Sequence, residues 1–220
     1  MPGVLRILRH EPSAVLLAVQ LAGVLLYPFM EGSGAGRALF SAFGIIVLGL
    51  VVLAVRATPA LTWVGLLLGI PATVLLVIVA VTGKDTLLPY SSALEALLYF
   101  YAAGALIAYM LADHEITRDE LFAVGATFTL VAWGFAHTYV VWQAIEPQSF
   151  VAAINPQGTR SWMELLFLSF TTLSSTGLSD VVPVNAFARS LCMIEQLAGV
   201  AYIAVVVSRL VALTIPRPRA

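Results

Sequence analysis

The sequence predicts an all-α membrane protein with six spanning helices and one further helix too short to cross. Three observations predict it. Of 220 residues, 60% are hydrophobic and 10% charged, and the mean hydropathy is +0.98, whereas soluble domains carry roughly 25% charge. Six long stretches are almost free of Lys, Arg and Asp. A seventh apolar run, Ser161 to Leu173, stops after about half the necessary length. This composition excludes a soluble globular protein.

The six stretches lie at about 14–30, 38–55, 61–82, 91–112, 121–145 and 185–214, the last carrying Glu195 and Arg209. Each approaches or exceeds the roughly 20 apolar residues that a helix needs to cross about 30 Å of hydrocarbon. The breaks are polar and turn-like: Glu31 to Gly36, Arg56 to Pro59, Gly83 to Asp85, and Asp113 to Glu120. Basic residues near short loops stay preferentially on the cytoplasmic side. With the N-terminus inside, Arg6, Arg9, Arg56, Arg118, Arg209, Arg217 and Arg219 are cytoplasmic, and Arg37, Lys84, Arg160 and Arg189 are outside. This asymmetry puts both termini in the cytoplasm. A cleaved signal peptide is an alternative for the first stretch.

The short run begins at a capping box, Ser161 with Glu164, in which the two side chains satisfy amide groups at a helix start. A helix starting there near the outer surface aims its C-terminus into the membrane, where the partial negative charge of that end stabilises a cation. Ser174 to Asp180, then Val181 to Pro183, lead into the final helix. Irregular backbone at membrane depth is tolerated only inside protein or along a water-filled path.

The run Thr171 to Pro183, with the short helix before it and Arg189 to Tyr202 and on to Arg209 after it, resembles the pore module of the tetrameric potassium-channel superfamily. There a pore helix leads into Thr-Val-Gly-Tyr-Gly-Asp and an inner helix follows. The resemblance covers about residues 160–213; upstream, only the helix count resembles the six-segment channels. It implies a homotetramer in which Ser175, Thr176, Gly177, Leu178 and Ser179 form the ion-binding filter, with K+ at Ser175, Thr176, Gly177 and Leu178. Asp180 takes the outer mouth, and Gly199 matches the inner-helix gating hinge.

Such a filter replaces an ion's water shell with rings of carbonyl and hydroxyl oxygens. Two departures bear on selectivity. Leu178 lacks the phenol of the family tyrosine. Ser179 replaces a glycine where inward-aimed carbonyls call for left-handed backbone, which costs a non-glycine residue about 1–2 kcal/mol. The expectation is therefore a channel for monovalent cations that passes K+, with a weakly selective K+/Na+ filter as the variant these departures point to. The alternative is a non-conducting channel-like scaffold or regulatory subunit.

The remaining polar residues refine this picture. Glu195 is read as a brace behind the filter, or else an ion ligand; with Glu164 and Trp162 it makes the filter support. Asp180 could also cap backbone before Pro183, and Gly199 could serve close helix contact. Glu95 poses the same choice as Glu195, and His137 reads as a hydrogen-bonded interior residue. The fourth stretch has no Lys or Arg, so the first four helices (1–113) stand in the position of a voltage sensor without its charges, ahead of a pore domain at 114–220. The link Asp113 to Glu120 is short enough to keep them beside their own subunit's pore.

Several classes drop out. With 11 basic against 12 acidic residues, nothing suggests nucleic acid. One cysteine, Cys192, makes neither an intrachain disulfide nor a zinc site. His10, His114 and His137 lack metal-site spacing, and no acid, base or nucleophile cluster suggests an enzyme; no cofactor is expected. The 11 residues after Arg209 leave no room for a cytoplasmic ligand-binding domain. The expected location is the plasma membrane, multi-pass, and the arginine- and alanine-rich composition hints at a bacterium.

Overall fold

The computed structural model describes residues 11–30, 34–56, 58, 60–83, 85–112 and 117–214. Arg6, Arg9, His10, Glu31 to Ser33, Lys84, Asp113 to Ile116 with His114, Arg217 and Arg219 lie outside the described residues. The elements in order are α1 (Pro12–Met30), α2 (Gly34–Arg56), α3 (Thr62–Thr82), α4 (Leu88–Met110), α5 (Arg118–Ile145), β1 (Phe150–Ala152), α6 (Trp162–Leu173), β2 (Val181–Pro183) and α7 (Ala186–Thr214).

Five of these helices, α1, α3, α4, α5 and α7, are long and apolar enough to cross a membrane. Among the described residues, α2, a helix of 23 residues, contributes the shorter apolar helix Ala42–Arg56. The 12 residues of α6 reach about 18 Å at 1.5 Å per residue, well short of a span. The protein is thus a multi-pass helical membrane protein.

Local chemistry sets the helix ends. Thr117 caps α5 by accepting from the Glu120 amide at 3.2 Å, and Asp119 and Glu120 occupy the positive first turn. Asp119 also receives the Ser13 amide at 3.0 Å and the Ser13 hydroxyl at 2.9 Å. That pins the start of α1 to the start of α5, and Leu17 lies against Gly125 further along, so the two helices run side by side in the same direction. α4 runs the opposite way along α5, with Glu95 opposite His137 and Tyr99 opposite Trp133.

α1 packs on α2 and α5, α2 on α3 and α4, and α4 on α5. α5 therefore closes a ring with α1, α2 and α4, and α3 lies against α2 and α4. One apolar core runs through it, from Leu16 and Val51 through Leu98, Leu106 and Leu130 to Leu166 of α6. The outward side of α3 (Trp63, Leu67, Ile70, Val81) is exposed apolar surface, suited to lipid.

Candidate functional site

The site is built around α6. At its head, Ser161 accepts from the Glu164 amide at 3.3 Å while the Glu164 carboxylate accepts from the Ser161 amide at 2.6 Å, the reciprocal capping expected from these residue types. Arg160, 5% exposed, organises the loop before it. Its guanidinium donates to the Asn155 and Gly158 carbonyls, each at 2.6 Å, and pairs with Glu164 at 3.0 Å. Gln143 of α5 clasps the Arg160 backbone, accepting from its amide at 2.8 Å and donating to its carbonyl at 3.0 Å. Trp162, the first residue of α6, donates its indole N–H to His137 Nε2 at 3.2 Å.

At the other end the chain turns sharply. Ser175 has φ +59° and Gly177 φ +67°, so left-handed backbone recurs at alternate positions after the helix. The Ser175 amide donates to the Thr172 carbonyl at 3.0 Å and the Thr176 amide to the Thr171 carbonyl at 2.9 Å. This is the Schellman closure with a serine where glycine is usual. Gly177 N–H also reaches the Thr171 carbonyl, at 3.1 Å, and the Ser174 and Thr176 hydroxyls lie 3.0 Å apart. Ser175 to Leu178 and Asp180 are exposed, Leu178 at 77%.

The left-handed alternation ends there. Ser179, expected to bear the strain of a missing glycine, lies outside the left-handed region; its hydroxyl accepts from the Val181 amide at 3.0 Å. The strain falls on Ser175, because the closing turn of α6 requires positive φ at that residue.

Behind the loop, α5, α6 and α7 meet at one carboxyl group. Glu195 is fully buried. It accepts from the Tyr139 phenol and meets the Ser169 hydroxyl, which also donates to the Ala132 carbonyl at 2.7 Å. One turn on, Gly199 presses against the end of α6. A Cβ there would overlap the Leu173 carbonyl, and α7 runs unbroken through the position.

A two-stranded ladder brackets α6 and the loop. Phe150, Val151 and Ala152 pair antiparallel with Pro183, Val182 and Val181, joining the segment before α6 to the segment after the loop. Phe150 is buried against Tyr139, ring centroids 4.9 Å apart. Asn185 caps α7 by accepting from the Ala188 amide at 2.7 Å, and donates to Ser149 at 2.6 Å. Further along α7, Arg209 pairs with Glu120 at 3.2 Å and the Tyr202 hydroxyl donates to the Val124 carbonyl at 2.6 Å. These contacts tie α7 to α5, yet α7 leaves Met193, Ile194, Leu197 and Val200 exposed.

The structure thus brings Trp162, Glu164, Glu195, Gly199 and the loop 175–180 to the two ends and the back of one short helix. Tyr139, Ser169, Gln143 and Arg160 are parts of the same site that the sequence reading missed. Ser169 and Tyr139 look like ordinary membrane-interior residues until their carboxyl partner is known. Arg160, one residue ahead of a capping box, was the legible signal, as was Asn185 at the head of a helix.

Neither the curated proteins nor the solved structures gave a match to this chain. The ion channel family matches residues 96–215, which run from α4 through the loop and α7, over half of the chain. That family transports ions and is not a family of enzymes. The chain belongs to the ion channel family, within the potassium-channel superfamily.

Proposed function

We propose that this protein is a homotetrameric cation channel passing K+, with weak K+/Na+ discrimination, down its electrochemical gradient. The observation that carries the reading is the left-handed backbone at Ser175 and Gly177 directly after a short capped helix. Alternate left-handed residues turn successive carbonyls to the same side, which is what an ion needs in place of its water shell. A single chain supplies one quarter of each ring, and the apolar surface exposed on α7 and at Leu178 supports assembly around a shared axis. In this reading Ser175, Thr176, Gly177, Leu178 and Ser179 line the filter and Asp180 repeats around the mouth, concentrating cations. Glu195, Glu164 and Trp162 hold the pore helix, and Gly199 is the hinge on which α7 opens. All six long helices span, with both termini cytoplasmic in the plasma membrane, and flux needs no cofactor.

A second reading, a non-conducting scaffold or regulatory subunit, is favoured by one observation: Ser179 is not left-handed, so the alternation stops one step short. Recording from purified protein in planar bilayers separates the two. Reproducible single-channel steps with reversal potentials that follow K+ and Na+ gradients are expected; silence across preparations that retain a tetramer would leave the scaffold. The double variant Leu178→Tyr with Ser179→Gly should raise the K+/Na+ permeability ratio, and an unchanged ratio would refute backbone geometry as the cause of weak selectivity.

A further inference from the structure

The end of α6 that leads into the loop 175–180 is not the only part of the helix with polar partners. Glu95 of α4 and His137 of α5 are both buried, the carboxyl oxygen 3.4 Å from His137 Nε2. The Trp162 indole nitrogen reaches the same Nε2 at 3.2 Å. His137 Nδ1 is buried with no hydrogen-bond partner among the described residues. Ionisable side chains at membrane depth are expensive, so a pair of them calls for a role.

The atoms present a counting problem. An imidazole nitrogen offers either one lone pair or one hydrogen in the ring plane, never both. The indole N–H can only donate, so Trp162 is held only while Nε2 carries its lone pair. A carboxylate can only accept, so an ionised Glu95 bonds the imidazole only when Nε2 carries a hydrogen. One atom therefore has two neighbours with opposite demands.

We propose that Glu95 and His137 are positioning residues for the pore helix: unprotonated Nε2 holds Trp162 in place, and a proton on Nε2 turns the ring to Glu95 and releases the indole. The proton comes from solution and stays on the imidazole; no bond between heavy atoms changes. Because Trp162 is the first residue of a rigid helix that ends at the loop, release at one end alters the setting of the other. α4 thereby gains a handle on the loop without any sensor arginine. The groups facing the imidazole are Glu95 and Tyr99 from α4 and Trp162 from α6, with Tyr27 of α1 and Trp133 of α5 packed on the Trp162 ring.

The proposal rests on the reading of residues 175–179 as a conducting path, and two readouts keep the two apart. The full chain, labelled with 15N-tryptophan, carries four indoles; that of Trp162 is the resonance lost in Trp162→Phe. As the medium is acidified from neutral pH the wild-type Trp162 resonance should shift, and the single-channel current in bilayers should change over the same range. His137→Gln keeps an acceptor oxygen that does not titrate, so both readouts should stay at their neutral-pH values. Trp162→Phe should lose the pH dependence of whatever current it passes, and Glu95→Gln should need a more acidic medium for the response. A wild-type Trp162 resonance that ignores pH, or a wild-type response persisting in His137→Gln, would overturn the tether. An indole that moves as expected while no variant passes current would uphold the tether and overturn conduction.

Discussion

Around α6 the helices meet through side-chain hydrogen bonds, whereas α2, α3 and α4 meet through apolar and small residues. Glu195, Ser169, Tyr139, Gln143 and Arg160 each reach across to another element. Between α2, α3 and α4 the contacts are Val52 on Gly65 and Gly69, Leu98 on Gly69, and the buried Ala72 and Leu76. Within lipid, apolar side chains gain little by exchanging lipid for one another, so such packing holds helices by close fit. A polar contact has direction, and a lost partner leaves a buried group unsatisfied. The surroundings of α6 are specified by direction and the first helices by fit.

The comparison breaks most visibly at Glu195. Glu195→Ala takes from the Tyr139 phenol and the Ser169 hydroxyl the carboxyl group they share, an expected loss of about 3 kcal/mol from two buried hydrogen bonds to a carboxyl group, measured by thermal unfolding in detergent. Next comes one substitution made in both regions. Gly199→Ala drives a methyl group into the Leu173 carbonyl and should cost about 2 kcal/mol and perturb the current. Gly104→Ala in α4 meets nothing within 4 Å and should gain up to about 1 kcal/mol from helix propensity. Equal effects at the two glycines would erase the distinction.

A smaller effect with opposite sign is expected at the loop. Ser175→Gly relieves the left-handed serine and should stabilise by about 1 kcal/mol, while removing a candidate ion-coordinating hydroxyl. Greater stability with altered ion preference would separate strain from function there. Last, Ile70→Leu on the exposed side of α3 should stay within about 0.5 kcal/mol with an unchanged current.

Much of the fold was legible beforehand. The long hydrophobic stretches became helices within a few residues of their expected ends, because hydrocarbon forces every backbone group into internal hydrogen bonds. Ser161 and Glu164 cap α6 because that exchange is local to four residues. Less legible was where the strain would fall: Ser179 was the departure from the family pattern, yet Ser175 carries the positive φ. Closing α6 demands it at Ser175, whereas Ser179 finds a hydrogen bond to Val181 instead.

By itself the sequence determined that the chain lives in lipid, where its helices begin and end, and that a short one stops at a turn. These follow from hydropathy, length and local capping, which act over a few residues or a few turns. Only the tertiary structure decided that Glu195 would meet Tyr139 and Ser169 and that α5 would close a ring with α1, α2 and α4. It alone set His137 between Glu95 and Trp162. Those contacts join residues 26 to 56 positions apart around Glu195, and their partners are chosen by helix rotation and depth, which no local pattern records.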